Sequence, residues 1–176
     1  MKLTPEHAAD YIEFYSTRPQ KVVPLPHHEQ ILRVAEDIGA KTVLDYGAGP
    51  PQALKHFATD LNVTSYDPVL GKGRDNTMMY KEPFDMVVCH HVLEHVQPEC
   101  LEYVLADICR LTKKVAYIVV SLQASTKLLP SGKPWHQIVH EPWWWRQKYG
   151  RFFPNFLDLP SQDEREYGIV WTRPNA

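Results

Sequence analysis

The chain has 176 residues, enough for one domain with a substantial core and too few for a second catalytic domain. Its side chains are 44% hydrophobic and 23% charged, the balance of an ordinary soluble globular protein and not of a disordered or membrane-embedded one. Its 19 basic side chains face 21 acidic ones, so it lacks the basic excess with which nucleic-acid binders offset phosphate, and nucleic acid is not expected as a partner.

Residues 4–15, TPEHAADYIEFY, open with a capping Thr4 and Pro5 and then set apolar side chains at helical intervals, which predicts a short amphipathic helix. PQKVVPLP breaks that pattern and makes residues 1–26 an N-terminal helix and linker. Ile31, Leu32, Val34, Ala35 and Ile38 then share one face and Gly39 marks a stop, which predicts a helix over 27–38. KTVLDYGAG reads as a strand ending near Asp45, PQALKHFATDL as a helix whose first turn tolerates Pro51, and NVTSYD as the next strand. FDMVVCHHV gives a fully apolar strand over 85–90, PECLEYVLADICRLT a helix over 98–112, and KVAYIVVSL another apolar strand.

Short apolar strands separated by amphipathic helices are the signature of a mostly parallel sheet covered on both faces, so the fold class is α/β within a single domain spanning 1–176. Residues 123–150 carry few regular signals before a helix around 142–149, and are read as an insertion that caps the substrate side of a site. FPNFLDL and EYGIVWTRP, separated by the polar SQDER, predict an antiparallel C-terminal hairpin. Cys89, Cys100 and Cys109 show no pairing pattern, and the first residues are too polar for a secretory signal. No apolar run reaches the roughly 18 residues of a membrane span, so a reduced, cytoplasmic setting with no membrane contact is expected.

The stretch VLDYGAGPP, residues 43–51, puts an acid and two glycines where an apolar strand stops. Ligands of open parallel sheets collect beyond such strand ends, and Gly47 and Gly49 allow a tight bend and a close approach of bare backbone. The spacing is DxGxG followed by Pro50 and Pro51, not the dinucleotide fingerprint GxGxxG, and the prolines remove two amide donors that a pyrophosphate would use. A ligand carrying an ammonium can instead use Asp45 and the loop carbonyls. Asp67 in SYDP, 18 residues beyond Gly49, stands where an acid accepts from two ribose hydroxyls.

Together, VLDYGAGPP, SYDP and FDMVVCHHVLEHV resemble the class I S-adenosylmethionine-dependent methyltransferases, over residues 28–122. The resemblance implies a Rossmann-like, doubly wound sheet of order 3-2-1-4-5-7-6 with strand 7 antiparallel, S-adenosyl-L-methionine as cofactor, and the small-molecule branch that carries an LEH motif, here Leu93 to His95. It implies further that Asp45, Gly47 and Gly49 lie against the methionine part of the cofactor, Asp67 holds the ribose, and Pro68 flanks the adenine. His90 and His91 would face the sulfonium and the acceptor, and Glu94 and His95 would fix the following helix. Two departures stand out: Pro51 replaces the family's third glycine, and only 17 residues separate Asp67 from Asp85, so the third strand and its helix are expected to be stunted. The adenine contacts then fall to Asp75, Asn76 and Met78.

Transfer of a methyl group from a sulfonium erases a charge, so positioning and desolvation can supply most of the acceleration. Where the acceptor must lose a proton, an imidazole serves at neutral pH, and His91 and His136 are the candidate catalytic residues. The expected function is methyl transfer to an oxygen or nitrogen of a small molecule; a nucleic-acid or protein methyltransferase and an inactive cofactor-binding subunit are the alternatives. His91, Glu94 and His95 share a helix face as metal ligands do, but no carboxylate cluster follows the fifth strand at SLQAS, so no metal is expected.

Overall fold

The computed structural model describes residues 4–18, 21–69, 80–160 and 163–174. In chain order the elements are α1 (Pro5–Ser16), α2 (His28–Asp37), β1 (Thr42–Tyr46), α3 (Ala53–Phe57), β2 (Asn62–Tyr66), β3 (Phe84–His90), α4 (Leu101–Leu111), β4 (Thr112–Ser121), α5 (Pro142–Gly150), β5 (Leu157–Asp158) and β6 (Glu166–Thr172). They build one sheet of six strands in the order β2-β1-β3-β4-β6-β5. β1, β2, β3 and β4 pair in parallel, and β6 runs antiparallel to both β4 and β5, which is the expected hairpin.

The apolar strand β3 shows why the sheet must be covered twice. Val87 and Cys89 pack among Leu105, Ile108, Trp145 and Tyr149 of α4 and α5. Met86 and Val88, on the other face, pack among Ile31, Ala35 and Leu54 of α2 and α3. Successive side chains of a strand point to opposite faces, so a strand apolar at every position requires helices on both.

Three local readings change. The expected order contained a third strand next to β2; it has no counterpart among the described residues, and Asp75, Asn76 and Met78 lie outside them. The helix expected from Pro51 starts only at Ala53, because Gln52 is in the left-handed region at φ 47° and cannot continue a right-handed turn backwards into the prolines. The helix expected over 98–112 opens with a 3-10 turn, Pro98–Cys100, and ends one residue early, where Thr112 already takes extended backbone and becomes the first residue of β4. No helix among the described residues is long and apolar enough to cross a membrane.

Burial sets a simple contrast on α4. Ile108 is 0% exposed and Tyr103 is 76% exposed. Ile108→Ala is expected to lower the unfolding free energy by about 2–5 kcal/mol in urea titrations, and Tyr103→Ala to change it by about 0.5 kcal/mol or less.

Candidate active site

A crevice opens at the carboxyl ends of the central strands, lined by Gly47 after β1, by Asp67, Pro68 and Val69 after β2, and by His91 and Val92 after β3. Its roof is α1. His7, Tyr11 and Tyr15 of that helix line the crevice at four-residue intervals, the spacing that puts side chains on one helical face. Thr4 caps the helix by accepting from the His7 amide, and Tyr11 Oη donates to the carbonyls of His95 and Trp135, fixing the helix over the strand ends.

The loop after β1 is shaped by contact and by hydrogen bonds. Gly47 has φ 83°, and a Cβ built there would stand 2.5 Å from a methyl carbon of Val92, so only glycine fits. The amides of Gly47 and Ala48 both donate to the Tyr66 carbonyl, at 2.7 and 2.9 Å, and the Gly49 amide donates to Asp67 Oδ2 at 3.0 Å. Pro50 and Pro51 have no amide hydrogen, and the Gln52 amide turns back to the Gly49 carbonyl. Every amide from 47 to 52 is therefore spent or missing, and the loop has no donors left for a phosphate.

Acids dominate the same region. Asp67 accepts from the amides of Gly49 and Val69, so it ties the loop after β1 to the end of β2 while it lines the crevice. Gly49 itself lines a neighbouring hollow with Ala48, Gln52 and Asp67. Asp45 is only 5% exposed, and no hydrogen bond reaches its carboxyl among the described residues. Burial first, and the charge of Asp67 second, push its pKa up to about 7. Asp45 sits at the end of β1 behind the crevice and is not among the residues that line it or the neighbouring hollow.

The two histidines at the end of β3 part company. His90 turns away from the crevice and packs against the rings of His27 and His91, at 5.3 and 4.5 Å between centroids. Burial, and then the neighbouring imidazoles, push its pKa down to about 2, so it is neutral. His91, in the left-handed region at φ 55°, swings into the crevice lining. Its Nδ1 lies 3.0 Å from Glu94 Oε1 and its Nε2 2.9 Å from Glu166 Oε1. A ring with a carboxylate at each nitrogen must donate from both, which makes it an imidazolium. Burial works against that charge, but the hydrogen bonds and charges of Glu94 and Glu166 outweigh it and raise the pKa. Glu166 Oε2 continues the chain to His27 Nε2 at 2.8 Å.

His136 does not line the crevice; its Nδ1 approaches the Gln123 carbonyl at 2.5 Å, and its ring lies 4.9 Å from that of His95. His95 lines the crevice, and Pro68 lies in the same wall as Asp67. Sequence reasoning missed Tyr11, Tyr15, Glu166 and His27. The spacing of His7, Tyr11 and Tyr15 was a readable signal, whereas Glu166 and His27 reach the site only through the antiparallel placement of β6 beside β4 and the path of the linker before α2.

A sequence profile of the family described as "Methyltransferase domain" matches residues 10–161, and the chain belongs to that family. The fold agrees with solved structures. The chain is 14% identical to 1,6-didemethyltoxoflavin-N1-methyltransferase of Burkholderia thailandensis, with bound 1,6-didemethyltoxoflavin and S-adenosylhomocysteine, at a TM-score of 0.60 over 98% of this chain and 90% of that one. It is 13% identical to magnesium protoporphyrin IX methyltransferase of Synechocystis with bound S-adenosylmethionine, at a TM-score of 0.60 over 98% of this chain and 100% of that one. No curated protein matches it significantly by sequence.

Two outcomes follow from this geometry. Gly47→Ala, which needs a left-handed backbone and displaces Val92, is expected to cost about 2 kcal/mol or more in urea unfolding. Asp45 keeps its proton in the folded chain up to about pH 7, while the ordinary value is 3.8, so between those values the folded state binds more protons than the unfolded one. Stability attributable to this group therefore falls as pH rises through that window. Asp45→Asn is expected to unfold at higher urea than the parent at pH 8, with the advantage shrinking towards pH 4.

Proposed function

We propose that the crevice binds S-adenosyl-L-methionine and that the protein transfers its methyl group to an oxygen or nitrogen of a small molecule. The observation that carries this reading is the polarity of the site: loop amides spent or missing, and two acids, one of them buried without a partner, beside a glycine whose Cβ position is already filled by Val92. That polarity rejects a pyrophosphate and suits an ammonium and a sulfonium. When bound, the cofactor supplies an electrophilic methyl on a cationic sulfur.

The chain's own residues then divide the work. Asp45 meets the ammonium, Gly47 and Gly49 give bare backbone along the methionine part, and Asp67, at the end of β2, meets the ribose hydroxyls. Pro68 and Val69 flank the adenine. Tyr11 and Tyr15 close the crevice from above and exclude water, which strengthens every charge interaction inside it. His91 presents an imidazolium held by two carboxylates, so it positions and neutralises charge instead of waiting as a free base. His90 acts as packing beneath it. His136, outside the lining, is not required as a base, and orientation supplies most of the rate.

Residues 123–150 act as the cap on the substrate side. Trp135 of that segment stacks on Phe14 of α1, with centroids 3.8 Å apart, which couples cap and roof. The compounds named for the similar structures, 1,6-didemethyltoxoflavin and magnesium protoporphyrin IX, are small molecules, and the balanced charge of this chain supports that class of acceptor over nucleic acid.

Calorimetry with S-adenosylmethionine and S-adenosylhomocysteine tests binding, and Asp67→Ala is expected to weaken both by about 1.5–3 kcal/mol, because the site loses a charged acceptor. Incubation with methyl-labelled cofactor and fractionated metabolites, RNA and protein tests the acceptor. Label in the metabolite fraction alone is expected; label confined to RNA or protein contradicts the small-molecule reading.

A further inference from the structure

The LEH turn carries a second cluster, which shares Glu94 with His91 and reaches the crevice wall through His95. Glu94 is wholly buried. Its Oε1 accepts from His91 Nδ1 and from the Ser121 amide at 3.1 Å, while Oε2 is buried with no hydrogen-bond partner. A buried carboxylate oxygen left bare is expensive and calls for a cation or a donor.

Two imidazoles stand beside it in the form a metal needs. His95 Nδ1 lies 3.0 Å from the Trp135 carbonyl, and His136 Nδ1 meets the Gln123 carbonyl. A carbonyl only accepts, so both rings carry their proton on Nδ1 and leave the lone pair on Nε2. This outer hydrogen bond from the second ring nitrogen is the usual support of a metal-ligating histidine. The two rings lie 4.9 Å apart, and one donor atom from each of Glu94, His95 and His136 falls within 4.8 Å of the others.

The backbone holds the cluster together from both sides. The amides of Gln137 and Ile138 both donate to the Glu94 carbonyl, at 2.7 and 3.0 Å, so the cap segment that bears His136 is fastened directly to the turn that bears the other two residues. We propose that Glu94, His95 and His136 form a binding site for a divalent transition-metal ion, zinc above all. One carboxylate and two imidazoles are the donor set that zinc accepts in three-ligand sites, with a fourth position left to water. Tetrahedral zinc holds such donors about 3.4 Å apart, so ligation draws these three inward by about an ångström. The ion staples the cap to the LEH turn. The sequence reading weighs His91 with Glu94 and His95 and expects no metal; in the structure both ring nitrogens of His91 face carboxylates, and the third imidazole near Glu94 and His95 is that of His136, 45 residues beyond His91.

The site borders the crevice, since His95 lines it and Glu94 holds His91, but its geometry does not need a bound cofactor, and its test uses zinc alone. The full chain, stripped with chelator, is titrated with zinc by calorimetry and followed by thermal unfolding. One equivalent bound and a raised melting temperature are expected, and His136→Ala, at a partly exposed position, is expected to lower the affinity by about a hundredfold. Histidine ring resonances give a readout that needs no variant: those of His95 and His136 are expected to shift at one equivalent while that of His140 stays in place. Absence of binding, affinity unchanged in His136→Ala, or zinc shifting other side chains and leaving His95 and His136 unmoved would each overturn the proposal.

Discussion

The buried carboxylate of Glu94 is the constraint on which the rest of the site depends. A charge wholly removed from water survives only when it is paired, and here burial raises the carboxyl pKa while the hydrogen bond and the charge of His91 bring it below the ordinary value. The same residue accepts from the Ser121 amide at the end of β4 and, through its carbonyl, from the amides of Gln137 and Ile138. One side chain and its peptide thus lock together the end of β3, the end of β4 and the cap. Through His91 and Glu166 the lock reaches β6 and then His27.

The crevice follows from this arrangement. With the strand ends fixed, α1 can be laid across them: Tyr11 and Phe14 pack against Leu129 and Trp135, and polar contacts set its position, Tyr11 Oη to two carbonyls, His7 Nε2 to the His95 carbonyl at 3.2 Å, and the Thr4 amide to Gln97 Oε1 at 3.1 Å. Beneath α1, Val92 presses so closely on Gly47 that the loop after β1 cannot carry a side chain there. A site built on spent amides, one buried acid and one half-buried acid suits positive charge, and a sulfonium with an ammonium meets that demand in one molecule.

Much of the fold was legible because it follows from burial alone. The runs MVVC and AYIVV are apolar at every position, which only a strand covered on both faces tolerates, and the paired parallel strands follow from that. The acid–glycine–glycine spacing and Asp67 were legible for a similar reason, since their chemistry is local to one strand end. The difference between His90 and His91 was not. Neighbouring residues of a strand face opposite ways, and the left-handed backbone at His91 decides which imidazole reaches the crevice. The delayed start of α3 depended on the conformation of Gln52, and the roles of Glu166, His27 and His136 depend on contacts between segments far apart in sequence, which no short-range pattern encodes.

The most direct measurement is a crystal structure with S-adenosylhomocysteine. Density for its ribose against Asp67, with the amino group towards Asp45 and the thioether facing His91 beneath Tyr11, is the expected result. A ligand bound elsewhere, or a crevice closed on itself by the side chains of α1 at saturating ligand, would contradict the assignment of this site.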